Sequence, residues 1–338
     1  KKIMAWIILG GVAIMVPLLA KKLGNLPEVS NFASIHVYNN RLYVLDHKVH
    51  IDLYSLKPFR YIKQVSRYGV GPGECPTVPR ITFYPDHFYL YRNGKCMFFS
   101  HNGEYIKEFR IPNPNLNLFA PLGENFITEQ SSYNKTFTNF DLSICTYKEK
   151  EKIKHKKVVS IFNLPNKREE NKKYGYRPFA EGFDYYIFED KIFIADSTRG
   201  IFAEIYDSEG NRISQIRLAY EKRKVPEENK KRLRDLIESN QNWKAYDNIY
   251  FLDIPEYYPA YHKFFIGKGK LYFLMYVMED SNREIIVTDW KGKLLKRSYV
   301  KTLIPTEGIL CEIENDKFYY IFDNEESEEW ELHVEDIK

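Results

Sequence analysis

One short hairpin recurs along this chain and restricts its fold more than any single motif. Residues 98–106 (Phe-Phe-Ser-His-Asn-Gly-Glu-Tyr-Ile), 205–213 (Ile-Tyr-Asp-Ser-Glu-Gly-Asn-Arg-Ile) and 287–295 (Val-Thr-Asp-Trp-Lys-Gly-Lys-Leu-Leu) each read as an apolar strand, a turn with glycine in the same place, and a second strand. Strand-built self-similarity of this kind points to a radial or solenoidal array, in which no single sheet buries both of its faces alone.

A second signal lies between these hairpins. Turns at Asn40, Asp86, Asp190, Lys270 and Asp316 each lead into an aromatic-rich strand, such as Leu42-Tyr43-Val44-Leu45 and Phe318-Tyr319-Tyr320-Ile321, with a weaker copy after Glu124. An aromatic content of 16% suits half-buried pleated surfaces. Strand and turn signals divide the chain into six units, roughly 30–70, 71–112, 113–165, 175–220, 255–303 and 304–338. The expected fold class is all-β: a six-bladed β-propeller of four-stranded antiparallel blades, preceded by one N-terminal transmembrane helix. The last unit is one strand short, and residues 33–38 are placed to close the ring.

Two stretches break the pattern. Residues 148–173 are rich in lysine and glutamate and read as a solvated edge and loop. Residues 226–239 read as a helix inside an insertion at about 221–254: Pro226 suits a first turn, and Glu227 and Glu228 favour its positive end. Leu233, Leu236 and Ile237 form a narrow apolar face that packs on the propeller or docks a partner.

Residues 3–20 form one uncharged apolar run between Lys1-Lys2 and Lys21-Lys22. It is just long enough to cross a bilayer, and its end departs from the small-residue pattern of a cleaved signal. Residues 1–22 are therefore read as a retained membrane anchor, 23–29 as a linker, and 30–338 as a propeller on the extracytoplasmic side, periplasmic or extracellular.

Charge and motifs exclude more than they assign. Fifty basic and 46 acidic residues are mixed along the chain, so nothing recommends nucleic acid as a partner. Cys75, Cys96, Cys145 and Cys311 form no Cys-x-x-Cys pair and read chiefly as small buried hydrophobes, with their disulfide state left open. The close pair His47 and His50 has no zinc-site context, and the acidic run 325–329 lacks the alternating ligands and glycine of a calcium loop. No catalytic elbow or paired catalytic carboxylates stand at a recognisable spacing, and no catalytic residue, cofactor or metal is assigned. Asp46, Asp196 and Asp323 end matching strands and are candidates to line a rim pocket, or to cap turns.

The segment Arg67-Tyr68-Gly69-Val70-Gly71-Pro72-Gly73-Glu74 resembles the Gly-x-Gly-Pro-Gly-Glu signature of the bacterial six-bladed β-propeller family related to NHL-repeat and TolB-like propellers. The segment 254–261 is also similar to that family, whereas Cys75 stands where an aromatic commonly follows the glutamate. The resemblance implies a six-bladed fold and export. From the residues themselves, Gly69, Gly71, Pro72, Gly73 and Glu74 read as a structural turn, because no Gly-Lys-Ser/Thr and no helix follows to hold a phosphate. The expected role is a membrane-anchored, non-catalytic protein-binding or scaffold subunit, part of a larger membrane complex. The alternatives are an exported lactonase-like hydrolase or lyase with a metal in its central channel, and a sugar or peptide receptor.

Overall fold

The computed structural model describes residues 20–29, 31–112, 115–133, 137–148, 153–165, 169–170, 173–179, 181–239, 250–277, 282–303 and 309–338. Within them stand six four-stranded antiparallel sheets, and in five of them the spatial order of the strands follows the sequence. Five blades are continuous, at 32–66, 80–110, 118–165, 183–218 and 263–301. The sixth takes three strands from 311–336 and its outermost strand from Lys21–Asn25. The chain is a six-bladed β-propeller.

Ring closure corrects the sequence reading in two places. Phe32–Tyr38, expected to close the ring, is the innermost strand of the first blade. The closing strand is Lys21–Asn25, which pairs antiparallel with Glu329–Asp336 from Lys21 opposite Val334 to Asn25 opposite Glu331. Residues assigned to the anchor and linker therefore belong to the propeller. The reason is an open edge: the last strand of the sixth blade presents amides and carbonyls that need partners, and the chain just before the first blade lies beside them. Lys22 Nζ seals the pairing at 2.7 Å from the buried Glu331 carboxylate. Residues 1–19, which carry most of the expected anchor, lie outside the described residues. Among the described residues, no helix is long and apolar enough to cross a membrane.

The core lies between blades. The second strand of each blade carries the aromatic run, and Tyr43, Phe88, Phe193, Phe273 and Phe318 are fully buried. Each cluster draws on neighbours: Leu45 and Leu53 of the first blade pack with Phe88 and Met97 of the second, and Phe193 and Ile205 of the fourth with Phe264 and Phe273 of the fifth. A blade with two apolar faces is thus covered on both sides by the next in the ring. Cys75, Cys96, Cys145 and Cys311 are free and buried in this packing. Burial pushes the Cys75 thiol up to about 11 and those of Cys96 and Cys145 up to about 12.

Strand direction gives the disc two unlike faces. The turns joining strands one to two and three to four lie on one side, the hairpin face. The turns from strand two to three and every blade-to-blade connection lie on the other, the connector face. On the hairpin face, Asn39-Asn40, Glu189-Asp190 and Asn315-Asp316 each place two consecutive residues at positive φ, the type I′ geometry that matches strand twist. The hairpin glycines lie on the same face and do more than turn. A Cβ on Gly103 would come within 2.6 Å of Val65 in the preceding blade, one on Gly210 within 2.9 Å of Ile144, and one on Gly292 within 3.2 Å of Ile216. The recurring glycine is therefore also where one blade meets the one before it.

The helix α1 (Glu227–Ser239) stands in the insertion on the connector face. Leu233 packs against Phe179, Val225, Tyr258 and Tyr276, and Ile237 is half-buried. The side chain of Leu236 lies outside the described residues.

Candidate functional site

The innermost strands surround a central channel of about 840 Å³. Each innermost strand is paired within its sheet on its outer side alone, so the six inner edges face one another and form the wall. Toward the hairpin face the lining includes Tyr38, Phe83, Phe188, Glu189, Lys268 and Glu314, and toward the connector face Ser34, Arg80, Leu118 and Tyr185. His36, Tyr186 and Glu312 lie between them.

Most of the polar groups in this wall bind one another. Arg80 Nη1 donates to Tyr185 Oη at 2.5 Å, and its Nη2 lies 3.3 Å from the carboxylate of Glu129, which is buried behind it. Tyr185 in turn donates to Glu129, whose other oxygen accepts from Asn117 at 2.8 Å. Burial raises the Tyr185 hydroxyl well above the ordinary phenol range, with the charge of Arg80 opposing the rise and that of Glu129 adding to it. Tyr186, whose ring is exposed in the channel, is raised in the same direction, by the loss of bulk water around it and then by Asp184 and Glu312. Both side chains are thus held as neutral phenols: stacking surfaces and hydrogen-bond donors rather than nucleophiles.

On the opposite wall, His36 Nδ1 is 3.5 Å from Glu312, and its Nε2 is 3.3 Å from Ser34 Oγ. Tyr38 is sandwiched between Phe83 and His101, with ring centroids at 5.0 and 4.9 Å. Glu314 accepts the Asn39 amide at 2.5 Å and so ties the sixth blade to the first across the ring closure. Burial raises its carboxyl against that hydrogen bond. Because Glu129 offsets Arg80, the lining charge is carried by Glu189, Glu312 and Glu314 against Lys268. The channel is aromatic and net acidic.

The residues singled out from sequence lie elsewhere. Asp46 and Asp196 end matching strands on the connector face, but both serve local turns. Asp46 accepts the His50 amide at 2.7 Å, and Asp196 accepts the Thr198 amide at 3.0 Å and its hydroxyl at 2.6 Å. Asp323 is exposed, and none of the three lines the channel. Of the two readings of these aspartates, turn capping describes Asp46 and Asp196. His47 is exposed, and His50 Nδ1 faces Asp46 at 3.2 Å.

The glycine signature is a closed loop on the connector face. Glu74 folds back to accept the Gly71 amide at 3.0 Å and Arg67 Nε at 2.9 Å, and the Gly73 amide donates to Glu108. Lys95, almost fully buried, donates to the carbonyls of Gly71 and Glu74 at 2.6 and 2.8 Å and pairs with Glu108 at 3.1 Å. A Cβ on Gly69 would strike the Glu74 carboxylate. The amides of Gly71 and Gly73 that a phosphate would need are occupied by side chains of the protein itself.

Sequence reasoning missed Arg80, Glu129, Tyr185, Tyr186, His36, Glu312 and Glu314. A signal was present for several of them. The residues just before the positive-φ turns, His36-Val37-Tyr38, Tyr186-Ile187-Phe188 and Glu312-Ile313-Glu314, belong to the innermost strands.

No family model matches the chain, and no curated protein matches it. Solved structures do. The computationally designed Ika8 protein is 6% identical over 94% of this chain and 99% of its own, with a TM-score of 0.42. A member of the DUF4221 family from Bacteroides vulgatus is 10% identical over 94% and 95%, at 0.45. Kluyveromyces lactis Hsv2 is 9% identical over 91% and 98%, at 0.38. The six blades are read from the strand pairing of this chain itself.

Proposed function

We propose that this chain is a non-catalytic binding subunit of the bacterial NHL- and TolB-like propeller kind. Its N-terminal segment tethers it to a membrane, and the propeller stands on the extracytoplasmic side within a larger complex. The central channel is where it takes a basic peptide of a partner. The observation that carries this reading is the channel wall: stacked aromatic rings, neutral phenols and unbalanced carboxylates in a cavity of about 840 Å³. Such a wall offers flat apolar faces and hydrogen-bond acceptors to a ligand bearing a positive charge. A lactonase-like hydrolase or lyase would need converging metal ligands, and among the described residues no three His, Cys, Asp or Glu side chains form such a group.

The test is photo-crosslinking in native membranes, with a benzophenone amino acid in place of Tyr186 in the channel or Tyr299 on the outer rim. A defined adduct from position 186, lost on competition with a basic peptide, supports the channel as the site. Adducts from position 299 alone would move binding to the rim and overturn it.

A further inference from the structure

We infer that the channel selects a primary ammonium, the side chain of a lysine in the partner's peptide, and holds it at mid-depth against Glu312; this rests on the channel reading above. The first observation is one of depth. Tyr38, Phe188 and Glu314 each close a tight turn at the hairpin face, paired with Arg41, Lys191 and Lys317. Counting back two residues along each strand puts His36, Tyr186 and Glu312 on a common level, about 7 Å further into the channel. The same count in the other three innermost strands reaches Thr82, Ala120 and Phe265, so no lysine or arginine of these strands stands at that level.

Charge is distributed unevenly between the two levels. At the mouth, the exposed Lys268 stands with Glu189 and Glu314. At mid-depth, Glu312 faces the His36 imidazole at 3.5 Å, and among the described residues no lysine or arginine pairs with it. Tyr186 is close enough for the Glu312 charge to raise its hydroxyl, which stays a neutral phenol able to accept as well as donate.

The bonds each carboxylate already makes decide between the basic side chains. Glu312 Oε1 accepts the Ile313 amide at 3.1 Å while its Oε2 faces His36, and Glu314 Oε1 accepts the Asn39 amide at 2.5 Å. A guanidinium gains its advantage by gripping both oxygens of one carboxylate in a plane, and neither of these leaves both open. Glu189 is exposed at the rim, where an ion pair gains little. An ammonium sends its donors in separate directions and needs only one acceptor for each; Glu312 Oε2 and Tyr186 Oη supply two. The lysine stem is about as long as the step from the mouth to Glu312, and Tyr38, Phe83 and Phe188 give it apolar cover. The peptide backbone then stays at the hairpin mouth.

Fluorescence anisotropy on the full chain in mild detergent tests this with labelled Gly-Ser peptides that carry lysine, arginine, trimethyl-lysine or norleucine at the centre. The lysine peptide is expected to bind roughly tenfold more tightly than the arginine and trimethyl-lysine peptides, and the norleucine peptide more weakly still. Glu312→Gln should erase the preference for lysine. Tyr186→Phe, at a ring exposed in the channel, should weaken the lysine peptide several-fold without disturbing the core, and so keeps the test open if the Glu312 variant does not fold. Equal or tighter binding of arginine overturns the ammonium site and leaves the basic-peptide channel standing. Equal or tighter binding of trimethyl-lysine, which has no N–H to donate, overturns it in favour of an aromatic cation trap. Lysine binding unchanged in both variants overturns the place at Glu312. No binding by any of these peptides overturns the channel reading together with this one.

Discussion

The two faces of the disc are built by different means. On the hairpin face, backbone geometry sets the structure: paired positive-φ residues make the inner turns, and glycines in the outer turns let each blade approach the one before it. On the connector face, long segments with no common length are held by side chains, of which the buried Lys95 beneath the Gly69–Glu74 loop is the best developed case. Backbone constraints repeat because each blade needs the same turn. Side-chain constraints do not, because each connection solves a separate problem.

The largest expected effect lies on the connector face. Lys95→Ala leaves two carbonyls and Glu108 without their cation, and urea unfolding should show a loss of about 3–5 kcal/mol. On the hairpin face, two glycines separate backbone from contact. Gly103 (φ +74°) and Gly269 (φ +73°) have similar backbones, but a Cβ meets Val65 at the first and open space at the second. Gly269→Ala should cost about 1–2 kcal/mol for the left-handed backbone, and Gly103→Ala about 2–4 with the added overpacking. Equal losses would remove the inter-blade role of the hairpin glycine.

The final strand of the sixth blade tests both faces by pH. Toward the connector side, burial alone would raise the Glu331 carboxyl, but hydrogen bonds from Lys22, Asn324 and His333 bring it down to about 2. Its contribution is therefore present above about pH 4.3, the unfolded value for Glu, and is lost as pH falls toward 2. Glu331→Gln should cost about 1–3 kcal/mol at neutral pH and much less in acid, followed by thermal melts. Toward the hairpin side, burial lifts Glu335 to about 7 against the Lys301 amide. Here the sign reverses: stability falls as pH rises from about 4.3 toward 7, and Glu335→Gln should flatten that part of the profile. The smallest effect belongs to the channel. Tyr185→Phe removes one bridging hydroxyl and should cost about 0.5–1.5 kcal/mol while weakening channel adducts.

The contrast between the faces also sets what the sequence discloses. Gly103, Gly210 and Gly292, and the strand starts at Asn40, Asp190 and Asp316, are legible because φ restricts residue type, and they mark five of the six blades. The closing strand was not legible: Lys-Lys-Leu-Gly-Asn carries no alternation, and only the unpaired edge of Glu329–Asp336, some three hundred residues away, calls it into a sheet. The channel was hidden for a different reason. Arg80, Glu129 and Tyr185 come from three blades and meet only when the ring exists, so no local spacing relates them. Asp46 and Asp196 drew attention because they repeat, and they repeat because turns do.

The pairing of Lys21–Asn25 with the last strand bears on how the molecule is made. The Lys22 to Glu331 contact spans 309 positions, so the ring cannot be sealed until nearly the whole chain has emerged from the ribosome. Until then the sixth blade lacks its outer edge, and the first strand must stay unpaired through the synthesis of five blades. Contacts of such separation are slow to find by chain diffusion. Early termination anywhere before 331 would leave an open disc with a bare edge, a species suited to removal by proteases or to pairing with another incomplete chain.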